Sequence, residues 1–428
     1  MRRISVRTLA WRTALVASIL VAGLACTEEV ETPADLVITN AQIFSGDGSM
    51  IDRGSIVIRD GRLEAVGSNE PTPSALEIID ADGRTVLPGL IDVHRHLTAY
   101  ANPTNEAELR DYIENDLTEI LEGLLASGLT TVMSPGDALP EILEIKQRLE
   151  SGDLLGPRIL AAGPVFTAPG DHPAEGPVCN GDPFCRSRIA VEVDDPQIAR
   201  ARVREVVEQG VDFIKVVIDR ELVPDAIIDD AVFEAIASEA EALHVPLIVH
   251  AETHDDVMRA VSMGADKLVH GPPATTAEEL EAYKILIQAG VPMATTVSWG
   301  SKEVVLFFGG DPEAAAPYQR RVLDNIRYLL DNGVVIAFGT DSPPPLGLTE
   351  FMIEVRDLAT VMTPREIIDA MTIDAARYLE IDDRLGSLEP GKIADLVIVD
   401  GNPLDDPSEL KNVVVVVKDG EVVFDTIN

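Results

Sequence analysis

Two histidines separated by one residue lie at the end of a strand-like segment. In Gly89-Leu-Ile-Asp-Val-His94-Arg-His96, the apolar residues predict a buried β-strand. Because alternate residues of a strand project to one face, the imidazoles of His94 and His96 are predicted to point the same way and to bind one metal ion. An isolated His-x-His pair often arises by chance, so this interpretation depends on other residues placed in the same manner.

Four further side chains that bind metals in proteins lie in or directly after strand-like segments. They are Lys215 within 212–218, His250 at the end of 246–250, His270 at the end of 267–270, and Asp341 after 334–340. An ammonium group in an apolar strand is costly to bury without a partner, so Lys215 is notable. Each residue alone could be an ordinary polar group of a core or loop, but all six at strand ends predict a shared site.

The middle of the chain alternates strand-like and helix-like segments. The candidate strands are 90–96, 130–134, 158–163, 213–218, 246–251, 267–270, 292–297 and 334–340. The helical patterns between and after them include 140–150, 196–209, 230–243, 277–289, 317–331 and 364–378. Eight such βα units predict a TIM barrel, in which the carboxyl ends of all strands meet at one face. A doubly wound open sheet is the alternative, but no Gly-rich dinucleotide loop opens any unit.

Both ends of the chain are rich in short strands and turns. Asp60-Gly61 and Asp419-Gly420 are typical hairpin turns. We therefore predict an α/β protein, with a (β/α)8 TIM barrel over 88–383 and a small β-sandwich domain formed by 35–87 together with 384–428.

As a set, these residues and motifs resemble the amidohydrolase superfamily, and most closely its imidazolonepropionase-like and Xaa-Pro dipeptidase-like branch. Besides the six candidate ligands, the resemblance rests on Phe213-Ile-Lys215-Val, Gly339-Thr-Asp341-Ser and the segment 388–398, Leu-Glu-Pro-Gly-Lys-Ile-Ala-Asp-Leu-Val-Ile. It extends over about residues 35–426 and implies the barrel and the β-sandwich predicted above.

The resemblance also implies a binuclear metal centre. His94, His96 and Asp341 would bind one divalent ion, and His250 and His270 a second. Lys215, carboxylated to a carbamate, would bridge the two. Zinc is the default ion for His-rich ligation, with manganese, cobalt and iron as alternatives. If Lys215 stays an amine, a single metal is expected. Within this family, the imidazolonepropionase pattern is similar to that of a centre with one metal and lacks this lysine. The presence of Lys215 therefore argues against imidazolonepropionase activity.

The implied activity is metal-dependent hydrolysis of a carbon–nitrogen bond in a small substrate. A metal-activated hydroxide would attack the carbonyl, with Asp341 as general base and acid. A dipeptidase for proline-containing peptides is one form of this activity. Cyclic amides, lactones and phosphotriesters are alternative substrates for the same ligands. A surface lipoprotein that binds a ligand without catalysis is a further alternative.

Several other residues are weaker candidates. His172 follows the third strand and could contact substrate or oxyanion, while Tyr100 and Trp299 follow the first and seventh strands and could line the pocket. His254 is expected to begin a helix behind the site, and His244 to lie at the opposite end of the barrel. Arg95 and Arg220 are the cations considered for an anionic substrate.

Residues 1–25 have the features of a signal peptide. Four arginines precede an apolar run too short to span a membrane comfortably, and Cys26 follows. A cysteine in this place is typical of bacterial lipoproteins, in which it is acylated, with 26–34 as a tether. Gly23 and Ala25 also suit ordinary signal peptidase, so soluble export to the periplasm or outside is the alternative to a membrane-anchored lipoprotein.

The two remaining cysteines agree with export, and the net charge limits the class of partner. Cys179 and Cys185 flank a short loop containing Gly and Pro, which in an oxidising compartment predicts a disulfide. With 34 Lys+Arg against 73 Asp+Glu, the formal net charge of −39 argues against a nucleic-acid partner. The expected partner is a small molecule or short peptide.

Overall fold

The computed structural model describes residues 32–68, 73–101, 103–176, 178–218, 226–271, 276, 279, 283–307, 309–341 and 348–427. The predicted signal peptide, Cys26 and Arg220 lie outside these residues, as does the side chain of Tyr100. The domain boundaries proposed from the sequence, at 87/88 and 383/384, stay predictions. Among the described residues, no helix combines the length and the hydrophobicity needed to cross a bilayer.

Strands from both ends of the chain share one mixed sheet of eight strands. They are β1 Ala34–Phe44, β2 Met50–Arg59, β3 Arg62–Gly67, β4 Ala75–Asp80, β5 Thr85–Pro88, β16 Leu396–Val399, β17 Val413–Lys418 and β18 Glu421–Asp425. The two ends join where β5 pairs antiparallel with β16, for example Val86 with Ile398. The terminal segments thus combine as expected, while their arrangement as a two-layered sandwich stays a prediction.

The middle of the chain forms two sheets of parallel strands. One contains β6 Leu90–Asp92, β7 Leu129–Ser134 and β8 Arg158–Ala161. The other contains β9 Val165–Thr167, β10 Ala190–Glu192, β11 Ile214–Val217, β12 Leu247–His250, β13 Lys267–Val269, β14 Met293–Ala294 and β15 Ile336–Ala337. All eight predicted strands are present within the predicted ranges or one residue beyond them, and β9 and β10 are additions that the sequence patterns did not indicate.

Backbone hydrogen bonds join these two parallel sheets at two places, next to β8 and next to β6. The backbone N–H of Asp212, before β11, donates to the carbonyl of Ala161 in β8 at 2.7 Å, and that of Val93, after β6, donates to the carbonyl of Phe338, after β15, at 2.9 Å. Residues of β11 and β12 are buried throughout, as expected for parallel strands covered on both faces. The ends of the strands in the two sheets therefore lie close to one another.

Thirteen helices are described, most of them between the parallel strands. They are α1 Glu106–Glu114, α2 Asp116–Ala126, α3 Glu141–Ser151, α4 Pro183–Ile189, α5 Pro196–Val207, α6 Asp230–Ala242, α7 His254–Ser262, α8 Lys284–Ala289, α9 Lys302–Phe307, α10 Pro312–Asp331, α11 Leu348–Leu358, α12 Pro364–Met371 and α13 Ile373–Tyr378. Local sequence explains many of their starts: α5 begins at Pro196 after the N-cap Asp195, and Thr363 with Glu366 forms a capping box for α12.

Candidate active site

His94 and His96 both point at Asp341. The Nε2 atoms of His94 and His96 lie 3.3 and 3.1 Å from Oδ1 of Asp341. The two histidines follow β6 beyond its last paired residue, Asp92, and the expected same-side projection holds there. The backbone N–H of Asp341 donates to the carbonyl of His94 at 2.7 Å, so the segment after β15 is fixed directly against the segment after β6.

His270 lies between this group and a second one. Ligand atoms of His94, His270 and Asp341 lie within 4.8 Å of one another, and so do those of His250, Glu252 and His270. The ring centroids of His250 and His270 are 4.2 Å apart. The resemblance assigned His270 to one metal with His250, whereas the geometry lets it contribute to either group.

Lys215 is buried beside the histidines. Its side chain lines the same small cavity as His94, His96 and Asp341. Burial lowers the pKa of Lys215 to about 7, although the negative charges of Asp341 and Glu252 oppose the shift. The six predicted ligands thus converge on one place, and a sizeable share of Lys215 is a neutral amine near neutral pH.

The surroundings shift the pKa values of the imidazoles in different directions. Burial, together with Lys215 and neighbouring histidines, sets the pKa of His94 and of His270 well below the usual value. Burial would also lower the pKa of His96, but Asp341, Asp137 and the carbonyl of Gly136 outweigh it and raise that pKa. Neutral imidazole is the form that binds metals.

The residues fit a divalent metal centre. His94 and His96 direct their Nε2 atoms at the same carboxylate oxygen of Asp341, and the low pKa of His94 favours the neutral form that binds metals. Five imidazoles, the Asp341 carboxylate and the Lys215 amine line the small cavity, and Glu252 lies next to His250 and His270. This set of nitrogen and oxygen donors suits zinc and its neighbours. The arrangement is easier to explain with a cation present than without one.

Supporting contacts orient two of these rings. Nδ1 of His96 lies 2.8 Å from the carbonyl oxygen of Gly136, and Nδ1 of His270 lies 2.8 Å from Oγ1 of Thr296. In each case the contact occupies one ring nitrogen and directs the other toward the centre. His270 and Asp341 have φ angles of 71° and 52°, in the left-handed region that costs non-glycine residues about 1–3 kcal/mol and is often retained at functional sites.

Two adjoining cavities open onto the centre. A small one of about 40 Å³ contains the predicted ligands, and a larger one of about 190 Å³ lies beside it. His172 lines both cavities, and its ring centroid is 5.8 Å from that of His250. Trp299 lines the larger cavity and donates from Nε1 to the backbone carbonyl of Asp341 at 3.1 Å. The structure therefore brings both of these weaker candidates to the site.

The other weak candidates lie elsewhere. His254 begins α7 and contacts Tyr283, with 5.7 Å between ring centroids, and His244 is exposed before β12. Arg95 is buried against Thr340, with 3.4 Å from Nη1 to Oγ1, rather than lining either cavity. Tyr100 belongs to the short 3-10 turn Ala99–Ala101, and nothing further is described of its side chain.

Sequence reasoning missed three contributors. Glu252 follows His250 by two residues, the same alternation as His94-x-His96, and its Oε1 lies 3.5 Å from Nε2 of His250. No local sequence pattern indicated that Thr296 contributes to the site. Asp137 is fully buried and accepts hydrogen bonds from the backbone of Leu97, Thr98 and Ala99 at 2.7–2.8 Å, which fixes the loop after His96.

The predicted disulfide is present between Cys179 and Cys185. It closes the loop that precedes α4, and the neighbouring Val178 lines the small cavity. One end of this loop therefore lies beside the small cavity.

Comparisons with known proteins agree with this geometry. Residues 85–423 match the amidohydrolase family. The chain is 26% identical to an imidazolonepropionase of Deinococcus radiodurans over 83% of this chain and 88% of that one, and 27% identical to an imidazolonepropionase of Brucella anthropi over 87% and 94%. Among solved structures, it resembles a Xaa-Pro dipeptidase with methionine bound in the active site, at 28% identity and a TM-score of 0.75, covering 90% of this chain and 99% of that one. It also resembles a prolidase complexed with N-methylphosphonate-L-proline, at 25% identity and a TM-score of 0.77, covering 91% and 100%.

Proposed function

Because the chain belongs to the amidohydrolase family and is a hydrolase that acts on carbon–nitrogen bonds, we propose that it cleaves dipeptides, with proline-containing dipeptides as the preferred class. The observation that carries this proposal is the convergence of the six predicted ligands on one small cavity, with Glu252 next to two of them, His250 and His270. A non-catalytic binding role does not agree with that family membership.

Two divalent ions, zinc by default, are proposed to bind here. His94, His96 and Asp341 would hold one, and His250 with Glu252 the other, while His270 is within reach of both groups. Lys215 is proposed to be carboxylated and to bridge them, which converts a costly buried cation into an anionic ligand. When bound, such ions lower the pKa of a coordinated water and polarise a carbonyl group.

The chain's own residues supply proton transfer and orientation. The Asp341 carboxylate lies at the junction of His94 and His96, where it can take the proton of the attacking water and donate it to the leaving amine. His172 lines both cavities beside His250, and is proposed to donate a hydrogen bond to the developing oxyanion.

The larger cavity supports a small, mostly apolar substrate group. Its described lining combines Trp299, Val297 and Val322 with the polar side chains of Tyr318 and Gln319. A volume of about 190 Å³ is below that of typical drug-sized pockets and suits one amino-acid side chain or a proline ring. The likeness to the two proline-peptidase structures supports the same class.

Imidazolone propionate is the second candidate substrate, since the curated relatives carry the name imidazolonepropionase. The presence of Lys215 in the centre favours the dipeptide. Lactones and phosphotriesters are alternative substrates for the same site, because a metal-activated hydroxide can attack a carbonyl carbon or a phosphoryl phosphorus.

Two broader proposals accompany this function. The two parallel sheets are proposed to close into an eight-stranded barrel, which the backbone bonds from Val93 to Phe338 and from Asp212 to Ala161 support. The protein is proposed to be exported, as a lipid-anchored or soluble protein, which the disulfide between Cys179 and Cys185 supports.

The test combines a substrate panel with two lysine variants. Purified protein supplied with zinc or manganese is assayed on Xaa-Pro dipeptides, other dipeptides and imidazolone propionate, and its metal content and the mass of the peptide bearing Lys215 are measured under native conditions. We expect Xaa-Pro dipeptides to give the highest kcat/KM, close to two metal ions per chain, and a carbon dioxide adduct on Lys215.

Lys267→Ala provides the matched control for Lys215→Ala. Lys267 is equally buried on a parallel strand, but it pairs with Glu380 and does not line the site cavities. Lys215→Ala should lose bound metal and more than 100-fold in kcat, whereas Lys267→Ala should retain both while losing stability. Absence of activity across all metals and substrates would overturn the proposed function.

A further inference from the structure

A fully buried carboxyl group, that of Glu354 on α11, lies behind the wall of the larger cavity. Its Oε1 accepts a hydrogen bond from the backbone N–H of Val297 at 3.1 Å, and its Oε2 accepts one from Ser298 at 2.6 Å. Among the described residues, no lysine or arginine forms an ion pair with Glu354. A buried carboxyl group without a cation is expensive, and a well-packed apolar side chain would serve stability better. Its presence therefore calls for a role beyond packing.

The backbone that Glu354 holds belongs to the short 3-10 helix Val297–Gly300, which follows β14. The residue before it, Thr296, contacts Nδ1 of His270 through Oγ1 at 2.8 Å. The residue after Ser298, Trp299, donates to the carbonyl of Asp341 at 3.1 Å. One turn of backbone thus contacts two candidate ligands on different strands.

Those two ligands need external support. His270 and Asp341 have left-handed backbone conformations, which persist only where the surroundings hold them. On the Asp341 side, Oγ of Ser298 also donates to the carbonyl of Thr340 at 3.2 Å, directly before the strained residue. The conformation of the turn therefore affects the placement of both ligands.

We propose that Glu354 is a positioning residue, which fixes the turn at Val297 and Ser298 and thereby places His270 and Asp341 for catalysis. The proposal deepens the proposed function, because it concerns the same metal site. Glu354 itself contacts neither of the two ligands in the structure, so its effect passes through Thr296 and Trp299.

The experiment uses the full chain with Trp11 replaced by Phe, so that Trp299 becomes the sole tryptophan. In this background Glu354→Ala, Glu354→Gln and Thr296→Val are compared for kcat, KM, metal content and tryptophan emission. Glu239→Ala is the control, since Glu239 is a buried carboxylate on α6 that pairs with Arg204 at 2.7 Å outside the site.

Glu354→Ala should lower kcat by about 10- to 100-fold with KM changed by less than about threefold, because misplaced ligands slow the reaction more than they weaken binding. The emission of Trp299 should shift to longer wavelength as its contact with Asp341 loosens. Glu354→Gln keeps one acceptor oxygen in place and should give a smaller loss, and Thr296→Val should lower kcat without shifting the emission. Glu239→Ala should change neither quantity.

If Glu354→Ala fails to fold, the isosteric Glu354→Gln decides. Wild-type emission and kcat in a folded Glu354 variant would overturn the proposal. If no substrate is found for the protein at all, the proposed function fails. The role of Glu354 is then decided by tryptophan emission and zinc affinity. If neither quantity changes in the Glu354 variants, the positioning role is overturned.

Discussion

Gly339 lies against His94 so closely that a Cβ added to Gly339 would be 2.9 Å from the Cβ of His94. Real Cβ atoms do not approach that closely, so any larger residue at 339 must displace the histidine or the strand that carries it. The absence of a side chain at this position is therefore a requirement for the observed position of His94.

Gly339→Ala should consequently lower both metal affinity and kcat, by about 10-fold or more, since shifts of this size at a catalytic centre are costly. Gly123→Ala is the control, because Gly123 lies within α2 with nothing within 4 Å of its added Cβ. This control should gain roughly 0.5–1 kcal/mol of stability from helix propensity and keep full activity. Zinc titration and steady-state kinetics of both variants provide the measurement.

Asp341→Asn removes the proposed proton acceptor while preserving the size of the side chain. We expect kcat to fall about 10²- to 10⁴-fold, the usual contribution of a general acid–base group. Asp255→Asn, at an exposed carboxylate on α7, is the control and should behave as wild type. A kcat for Asp341→Asn within threefold of the wild-type value would exclude Asp341 as the proton-transfer group.

The disulfide between Cys179 and Cys185 should stabilise the loop beside the small cavity. In the chain-entropy account, closing so short a loop contributes about 2 kcal/mol to the free energy of unfolding. The double variant Cys179→Ser with Cys185→Ser should lose about that amount in urea denaturation. Reductant should destabilise the wild type by a similar amount and leave the double variant unchanged; equal sensitivity of both proteins would contradict the assignment.

Glu354 also predicts a pH dependence of stability. Burial raises its pKa to about 8 from the ordinary 4.5, only partly offset by hydrogen bonds from Thr295, Ser298 and Val297. Because the pKa of Glu354 is raised in the folded state, its contribution to the free energy of unfolding is complete below pH 4.5 and is lost as pH rises through about 8. The free energy of unfolding of wild type should therefore decrease relative to that of Glu354→Gln over this window, by up to about 1.4 kcal/mol per pH unit.

Urea denaturation of both proteins at several pH values between 4.5 and 9 measures this difference. Glu239→Gln corrects for the general effect of pH on unfolding. A constant difference between wild type and Glu354→Gln across the range would show that Glu354 does not change protonation as expected.

Much of the candidate centre was predictable because it depends on local pattern. Strand alternation placed His94 and His96 on one side, and the position of His250, His270 and Asp341 at strand ends put them at one edge of parallel strands. The disulfide and eight of the ten parallel strands of the middle region were likewise predicted, since short-range hydrophobic and turn patterns specify them, whereas β9 and β10 were not.

The remaining features depend on contacts between distant segments, which no local pattern encodes. Glu354 meets Val297 across 57 residues of sequence, and His270 meets Thr296 across 26. The position of His270 within reach of both ligand groups follows from how the strands pair and how the following backbone bends, not from residue type. The sequence by itself therefore determined which side chains are the main candidates for the chemistry, because their positions follow the strand pattern. Only the tertiary structure decided how those side chains group and what holds them, because strand register and loop conformation are properties of the packed chain.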